Sequence, residues 1–439
     1  MVLSGTGGNG TTDAPKVPNR WIFVVVGFVA NLCLGTLYGW SVFKPFIKAA
    51  PYNISLPDTT IPFSVSMLVF GITFALAGRM IARTGPRLPA LIGAVCAGAG
   101  YILSGAIMFA PTSALPILTI TFGVIAGTGC GFGYNPPIAA VGRWFPDKRG
   151  LALGITVSGY ALSPLITAPA VNYLATAYGI AYTFIILGVI FLVLLLALGG
   201  MLAFPPADWK APQVTAATAK KAWVAASRDF STREMLRTRT FYLAWLIYMI
   251  GAGAGLMVIG LTAQIAKDMT GLTGALAWMA VVAVQVYAVA NAGGRVAMGV
   301  VTDAIGPRRT ILIMLVLQFV CLVVLFPFVT SAAILYLVII LYGAMYGAYL
   351  SAMPALSSYF FGARNMGPNY GLLFVAWGVG GVVLPMVMAQ VLGKTPTYTD
   401  YVVGFQVTAA FVVVGLVLAL LMKPPEAPAK QESPPPVKT

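Results

Sequence analysis

The sequence predicts an all-α membrane protein in which twelve transmembrane helices form two pseudo-symmetric bundles of six. Three observations support this fold class: long apolar stretches of similar length, a basic polar stretch in mid-chain, and short motifs that occur once in each half. Of the 439 residues, 59% are hydrophobic and 8% are charged, whereas a soluble domain carries about 25% charged residues. The chain is therefore built for a lipid bilayer.

Each apolar stretch is close to the ~20 residues that an α-helix needs to cross a bilayer. The residues before position 21 are polar and lack a signal-peptide pattern, so we interpret the first apolar stretch as the first span. The predicted spans cover residues 21–43, 61–82, 88–110, 115–140, 150–171, 181–204, 240–264, 275–301, 310–330, 333–358, 368–391 and 401–422.

Basic residues of the predicted loops are concentrated on one side of the membrane. With both termini cytoplasmic, most of them are cytoplasmic, and those in outer loops are Lys44, Lys48, Lys267 and Lys394. An excess of Lys and Arg in cytoplasmic loops sets the orientation of a membrane protein. We therefore interpret the net charge of +15 as a topology signal and not as a sign of nucleic-acid binding. The prediction is a multi-pass protein of the plasma (cytoplasmic) membrane.

The two halves are separated by a polar, basic stretch and repeat the same motifs. The predicted segments are a cytoplasmic tail (1–20), a first bundle (21–204), a cytoplasmic linker (205–239), a second bundle (240–422) and a disordered Pro-rich tail (423–439). Residues 220–235 of the linker form either a surface helix or a solvated loop. The sequence GRMIARTGPR at 78–87 has its counterpart in GVVTDAIGPRR at 299–309. Repeated six-span halves with the substrate between them are a known transporter plan.

Arg295 is the charged residue that lies well inside an apolar stretch. A guanidinium remains charged in proteins, and placing it at membrane depth costs roughly 2.5–3.5 kcal/mol on insertion scales. Asn291 lies four residues earlier and hence on the same helix face. Together the two side chains can orient a carboxylate and a neighbouring hydroxyl or keto group. The pattern predicts a carrier of small carboxylates.

Two structural interpretations of Arg295 remain open at this point. The residue lies about 9–12 Å of helix rise from the predicted cytoplasmic end, so its side chain can extend to the membrane surface. Alternatively it pairs with Asp303, although a spacing of eight residues places the two about 80° apart around the helix. That geometry is poor for a direct ion pair.

The loop motif G-x-x-x-D-x-x-G-x-[KR]-[KR] resembles the signature of the major facilitator superfamily and implies the major facilitator fold. The second copy is intact, whereas the first has Ala82 in place of the usual Asp. The stretch RWFPDKRGLALGITVSG at 143–159 and the stretch RNMGPNYG at 364–371 are similar to monocarboxylate transporters and oxalate–formate antiporters. The resemblance extends over all twelve predicted spans and implies a bacterial homologue, with a lactate-type monocarboxylate carrier as the expectation.

The resemblance also bears on the number of substrate charges. Animal monocarboxylate transporters carry Asp at the position of Asn291 and a Lys on the first span that residues 35–40 lack. Oxalate exchangers carry a second cation on span 11, where this chain has Trp377. A second carboxylate buried without a counter-charge is costly. The resemblance therefore favours a monocarboxylate over a dicarboxylate.

Aromatic residues are the further candidates for substrate contacts. Tyr134 and Tyr346 lie next to the repeated glycine pairs Gly127-x-x-x-Gly131 and Gly343-x-x-x-Gly347 and can donate a hydrogen bond to a carboxylate. Tyr38, Phe374 and Trp377 are candidates for the apolar wall of the site. The alternative is that these are ordinary aromatic residues in helix contacts.

Other residues indicate a cytoplasmic gate and exclude several kinds of chemistry. The predicted gate consists of Asp303, Arg308, Arg309 and Arg87. The four cysteines have no metal-ligand spacing, and the segment around Lys394 lacks the first glycine of a nucleotide-binding loop. We therefore expect no metal, no cofactor, no nucleotide and no enzymatic activity.

The leading functional hypothesis is proton-coupled symport of a small monocarboxylate such as L-lactate or pyruvate by alternating access. The partners expected are the carboxylate, protons and the lipid bilayer. Candidate proton carriers are Asp303, Asp58, Asp268 and the bound substrate itself. The alternative is a carboxylate exchanger of the oxalate–formate type, which needs no proton site.

Overall fold

The computed structural model describes residues 19–206, 209, 229–362 and 364–425. Within them, twelve helices are long and apolar enough to cross a membrane. They are, from span 1 to span 12, Trp21–Lys48, Thr60–Thr84, Arg87–Met108, Pro111–Trp144, Leu151–Tyr178, Ile180–Met201, Arg239–Ile259, Gly274–Ile305, Pro307–Phe328, Ala332–Phe361, Met366–Leu392 and Tyr398–Leu421. The protein is thus an all-α membrane protein, as the hydropathy pattern predicts.

The ends of several spans differ from the prediction by a few residues, and the differences at spans 1 and 7 affect the C-terminal ends of two helices that flank the site. Span 1 continues to Lys48, beyond the predicted end at residue 43, because Phe43 and Ile47 pack fully into the core. Lys44 therefore lies inside the helix and is completely buried, so its assignment to an outer loop is wrong. Span 7 ends at Ile259, and a separate short helix covers Thr262–Thr270.

Close helix packing within each bundle uses the repeated glycine pairs. A Cβ atom on Gly127 would lie 2.9 Å from the carbonyl oxygen of Ser66, so span 4 approaches the backbone of span 2. In the second bundle, Gly347 of span 10 similarly contacts the backbone of Asn291 on span 8. Small residues permit this approach between membrane helices. The equivalent pairs, spans 2 and 4 and spans 8 and 10, thus pack in the same way.

The two bundles contact each other along two pairs of spans. Span 2 crosses span 11, where a Cβ on Gly71 would lie 3.2 Å from the Cα of Gly378. Span 5 is bonded to span 8, because Gln285 Nε2 donates to the carbonyl of Leu165 at 2.8 Å. That carbonyl is available because Pro169, four residues later, has no N–H to donate.

We call the side where span 1 begins and span 12 ends the terminal face, and the other side the opposite face. On the terminal face, the end of the linker is attached to the second bundle. The short helix Thr232–Met235 carries a capping box of Ser231 and Glu234, and Asn369 Nδ2 donates to the carbonyl of Phe230 at 3.1 Å. The predicted helix at 220–235 lies otherwise outside the described residues, as do nearly all of both tails.

Candidate functional site

A cavity of about 1350 Å³ lies between the two bundles. Its walls come from both halves of the chain, and they extend to the terminal-face ends of spans 2, 4, 8 and 11, where the cavity opens. Arg295 and Tyr134 lie at its inner end, and Asp303 and Arg143 lie towards its mouth. The bundles are in contact on the opposite face, so the cavity is accessible from one side of the membrane.

The guanidinium of Arg295 lies at the inner end of this cavity with 3% of its surface exposed. Its Nε donates to Asn291 Oδ1 at 3.2 Å, and its Nη1 donates to the carbonyl of Val157 on span 5 at 2.8 Å. Among the described residues, Nη2 has no hydrogen-bond partner and no carboxylate lies within 4.0 Å of the guanidinium. The side chain is thus bonded inside the protein and does not extend to the membrane surface.

Asn291 contributes a second group of unused donors. Its side chain is fully buried, and its Nδ2 has no partner among the described residues. An amide nitrogen carries two N–H donors and the Nη2 of an arginine carries two more. Buried donors without acceptors are costly. The site therefore matches a ligand that brings several acceptor atoms and a negative charge.

The backbone around Arg295 is held by small residues of span 10. Gly294 contacts the backbone of Ala344, and Gly347 contacts that of Asn291. The hydroxyl of Ser351 donates to the carbonyl of Arg295 at 2.6 Å. These contacts determine where span 8 presents its guanidinium, because a larger residue at either glycine would separate the helices.

Four of the aromatic candidates, Tyr38, Tyr346, Phe374 and Trp377, form one buried, connected group. The hydroxyls of Tyr38 and Tyr346, from different bundles, lie 2.5 Å apart, and Trp377 Nε1 donates to the Tyr346 hydroxyl at 3.1 Å. Whichever of the two tyrosines donates to the other, one O–H remains unused in the pair. Phe374 stacks on Trp377 with 4.9 Å between the ring centroids. Tyr134 lines the cavity itself.

The structure adds three residues that sequence reasoning missed: Phe70, Val157 and Tyr160. The ring of Tyr160 contacts the rings of Tyr38 and Tyr134, at centroid distances of 4.8 and 5.2 Å. Its hydroxyl is buried and has no partner among the described residues. Nothing in the sequence distinguishes Tyr160 among the 19 tyrosines of the chain, because it belongs to no repeat and to no charged motif.

The predicted gate residues occupy different places at the terminal face. Asp303 lines the cavity, whereas Arg87 and Arg309 are exposed. Arg308 Nη2 donates to the carbonyl of Leu420 at 2.8 Å, near the end of span 12. The gate therefore remains a prediction for the conformation in which the terminal face is closed.

The mouth of the cavity is basic. The residues there with a positive charge are Arg79, Arg83, Arg143 and Arg364. Among the described residues, no group of three His, Cys, Asp or Glu side chains has the geometry to hold a metal ion. The charges along the cavity therefore favour an anion over a cation as its ligand.

Comparison with known proteins agrees with this architecture. The sequence model of the Major Facilitator Superfamily matches residues 28–385 and 269–438. The chain is 26% identical over 363 residues to the oxalate:formate antiporter of Oxalobacter formigenes, covering 82% of this chain and 81% of that protein. It is 23% identical over 411 residues to monocarboxylate transporter 13 of Rattus norvegicus, covering 92% and 89%.

A solved structure shows the same fold. A bacterial homologue of the human lysosomal transporter Spinster, in an inward-facing and unoccupied conformation, matches with a TM-score of 0.65 and 16% identity, covering 92% of this chain and 97% of that one. The relatives named here are described as transporters. The chain therefore belongs to the Major Facilitator Superfamily, as a multi-pass membrane protein whose relatives include an oxalate:formate antiporter and a monocarboxylate transporter.

Proposed function

We propose that the protein carries small monocarboxylates, such as L-lactate or pyruvate, across the plasma (cytoplasmic) membrane, with the terminal face and both termini in the cytoplasm. The observation that carries this proposal is a pair of buried donor groups, Arg295 Nη2 and Asn291 Nδ2, that have no hydrogen-bond partner in the described part of the chain. A carboxylate supplies two acceptor oxygens and the missing negative charge. Hydrogen bonds to charged groups are the strong ones in proteins.

In this proposal each part of the substrate has its own partners. Arg295 binds one carboxylate oxygen, and the hydroxyl of Tyr134 donates to the other. Asn291 Nδ2 binds the α-hydroxyl or α-keto oxygen. The unused O–H of the Tyr38–Tyr346 pair supplies one further donor, whereas Trp377 positions that pair through its bond to Tyr346.

The size and charge of the substrate follow from the rings around this site. Phe70 lies edge-on to Trp377 at 5.0 Å between centroids, and Phe374 lies 5.7 Å from Phe70. These rings present an apolar surface to a short carbon chain and offer no counter-charge. A second carboxylate placed against them would be buried unpaired, which is expensive. The proposal is therefore a C2–C4 monocarboxylate.

Binding also favours the change of conformation that transport requires. An isolated buried guanidinium makes the closed cavity costly, because closure removes the remaining water from the charge. A bound carboxylate neutralises that charge, so the loaded carrier closes at a lower free energy than the empty one. The cavity then opens on the opposite face by rocking of the bundles about the contacts between spans 2 and 11 and between spans 5 and 8.

Proton coupling is the second part of the proposal, and Asp303 is its carrier. Of the acids considered, Asp303 lies in the lining of the cavity, whereas Asp268 and Asp58 lie outside that lining. The competing candidate is a carboxylate exchanger. One observation favours exchange: among the described residues, no acid lies within 4.0 Å of Arg295.

We expect an inward proton gradient to stimulate lactate uptake into proteoliposomes several-fold. Uptake of labelled lactate, formate and oxalate is measured with and without this gradient, and with and without carboxylate inside the vesicles. Asp303→Asn should abolish the stimulation while leaving exchange intact. Uptake that does not depend on the proton gradient and requires carboxylate inside the vesicles would instead show that the protein is an exchanger. Absence of any carboxylate flux contradicts both candidates.

Replacing Tyr160 by Phe should change affinity and stability in opposite directions. In the proposed complex the Tyr160 hydroxyl donates a further hydrogen bond to the carboxylate. Loss of this hydroxyl should weaken lactate binding at least about tenfold, since a hydrogen bond to a charged group contributes roughly 1.5–3 kcal/mol. The empty protein should become more stable, because an unpaired buried hydroxyl is removed. Equilibrium binding and thermal unfolding of the purified variant measure the two effects.

Tyr336→Phe is the matched control, because the Tyr336 hydroxyl already donates to the carbonyl of Met279 at 3.0 Å. This variant should lose stability and keep its affinity for lactate. If Tyr160→Phe behaves in the same way as this control, Tyr160 has no contact with the substrate.

A further inference from the structure

Spans 5 and 8 run antiparallel along the boundary between the bundles and are hydrogen-bonded at two depths. The inner bond is the one from Arg295 Nη1 to the carbonyl of Val157, at 2.8 Å. The outer bond, also at 2.8 Å, runs from Gln285 Nε2 to the carbonyl of Leu165. Gln285 precedes Arg295 by ten residues, about 15 Å of helix rise, so it lies towards the opposite face. The outer bond is therefore outside the substrate site.

The acceptor of the outer bond results from a proline in span 5. In an α-helix the carbonyl of Leu165 accepts from the backbone nitrogen of residue 169, but Pro169 has no N–H. Leu165 and Pro169 are exposed on the outside of the helix, where lipid supplies no donor. Gln285 thus provides the partner that the helix of Leu165 cannot provide.

The amide of Gln285 also lies where a polar group is costly. Its neighbours along this part of span 8 are apolar, from Val281 to Val286. Transfer of an amide from water into apolar surroundings without a hydrogen bond is unfavourable. The bond from Gln285 to Leu165 therefore satisfies two groups at once, one in each bundle, for as long as the bundles touch on the opposite face.

Opening of the opposite face breaks this bond, because Leu165 moves with the first bundle and Gln285 with the second. The other bonds between the bundles described above, from Arg295 and between Tyr38 and Tyr346, belong to the proposed substrate site. Substrate that binds there compensates the loss of those bonds. It does not reach Gln285, so the outer bond stabilises the closed opposite face equally in the empty and in the loaded carrier.

We propose that Gln285 is a latch that holds the opposite face closed through its bond to the carbonyl of Leu165. A hydrogen bond between membrane helices shifts an equilibrium between two conformations by about 3–30-fold. The latch thus keeps the fraction of carriers that are open to the opposite face low. A ligand that binds only this fraction has its apparent affinity reduced by the same factor. The effect on transport rests on the proposed function, whereas the effect on the conformations does not.

The first test measures the conformations of the full-length protein without substrate. Gln285→Met removes the amide and keeps the length of the side chain. Spin labels are attached to Phe109→Cys and Phe328→Cys, which are exposed positions at the opposite-face ends of spans 3 and 9, one in each bundle. Cys96, which is not fully buried, is replaced by alanine in every sample. The population with a long distance between the labels should rise about 3–30-fold in Gln285→Met.

Gln406→Met is the matched control. Gln406 is an exposed glutamine on span 12, at a similar distance from the opposite-face end of its helix. The variant carries the same change in the same bundle, and its distances should equal those of the original protein. An equal shift in both variants would show that loss of any glutamine from these helices has this effect, and would overturn the proposal.

Pro169→Ala tests the acceptor of the bond and covers the case in which Gln285→Met does not fold. It restores an N–H that binds the carbonyl of Leu165 within span 5, so opening of the opposite face no longer leaves this carbonyl unpaired. The long-distance population should rise at least about twofold. In the double variant the shift should be no larger than in Gln285→Met alone, because both changes remove the same interaction.

Transport gives a separate readout. In proteoliposomes with the opposite face outward, the KM for zero-trans uptake of labelled lactate should fall about threefold or more in Gln285→Met. A merely damaged fold would lower the rate and would not lower the KM.

The proposal is overturned if folded Gln285→Met or Pro169→Ala keeps the original distances, if the two shifts add in the double variant, or if the KM of Gln285→Met does not fall. If the distances shift as expected and the unaltered protein moves no lactate, the latch is supported and the proposed function alone fails.

Discussion

Arg295→Gln should reduce carboxylate uptake by a factor of at least ~100. In the proposed complex Arg295 donates a charge-assisted bond that contributes roughly 1.5–3 kcal/mol, about 10–150-fold in affinity. Its replacement also leaves the buried carboxylate without a counter-charge, which lowers the affinity further. Glutamine retains donors but no charge. Arg295→Lys should recover little, because an ammonium cannot reproduce the paired, planar donors of a guanidinium. Uptake into proteoliposomes and equilibrium binding measure both variants.

The fold of the Arg295→Gln protein should be preserved. The original protein buries an uncompensated charge, and removal of that charge relieves an unfavourable term. Thermal unfolding without substrate should therefore occur at an equal or higher temperature. Arg309→Gln, at an exposed position, serves as the control and should transport normally. Uptake by Arg295→Gln within about threefold of the original would remove Arg295 from the substrate site.

Gly378→Val should strongly reduce transport, because it disfavours one of the conformations that the carrier must adopt. A Cβ atom at Gly378 would lie 2.8 Å from the carbonyl oxygen of Met67 and 3.2 Å from the Cα of Gly71, so the larger valine side chain separates spans 2 and 11. Overpacking of this kind costs about 1–3 kcal/mol, which corresponds to about 5–150-fold in a conformational equilibrium. The conformation closed on the opposite face should lose population accordingly. We expect lactate uptake to fall by at least about tenfold.

The matched control is Gly293→Val on span 8. Gly293 is exposed, and a Cβ atom there has no neighbour within 4 Å. Both variants carry the same change in a membrane helix, so a difference between them reports the contact at Gly378. Equal uptake by the two variants would show that close contact of spans 2 and 11 is not required for transport.

The fold was predictable because its main determinant is local. The lipid environment demands about 20 apolar residues per helix, so hydropathy alone located all twelve spans. The burial of Arg295 and Asn291 within span 8 was predictable for the same reason, since a charged residue within an apolar stretch, with a polar residue one helical turn before it, is recognisable from the sequence alone. Lys44 was wrongly assigned to an outer loop because it lies near the end of its apolar stretch. There the sequence does not distinguish the last turn of a helix from the first residues of a loop.

The composition of the site was only partly predictable. Tyr160 and Val157 belong to span 5, and their relation to Arg295 depends on how the two bundles meet. The bond between the hydroxyls of Tyr38 and Tyr346 joins residues 308 positions apart, and no spacing rule relates them. Contacts of this kind arise from the packing of helices that are distant in the chain.

The sequence by itself determined the membrane class, the helices, the repeat and the presence of a lone arginine on span 8, because each depends on residues that are neighbours along the chain. The tertiary structure decided which donors are left unpaired around that arginine, which rings limit its ligand, and that Lys44 is buried. The physical reason is that hydrogen-bond satisfaction and burial depend on surfaces from both bundles, and these meet only in the folded protein.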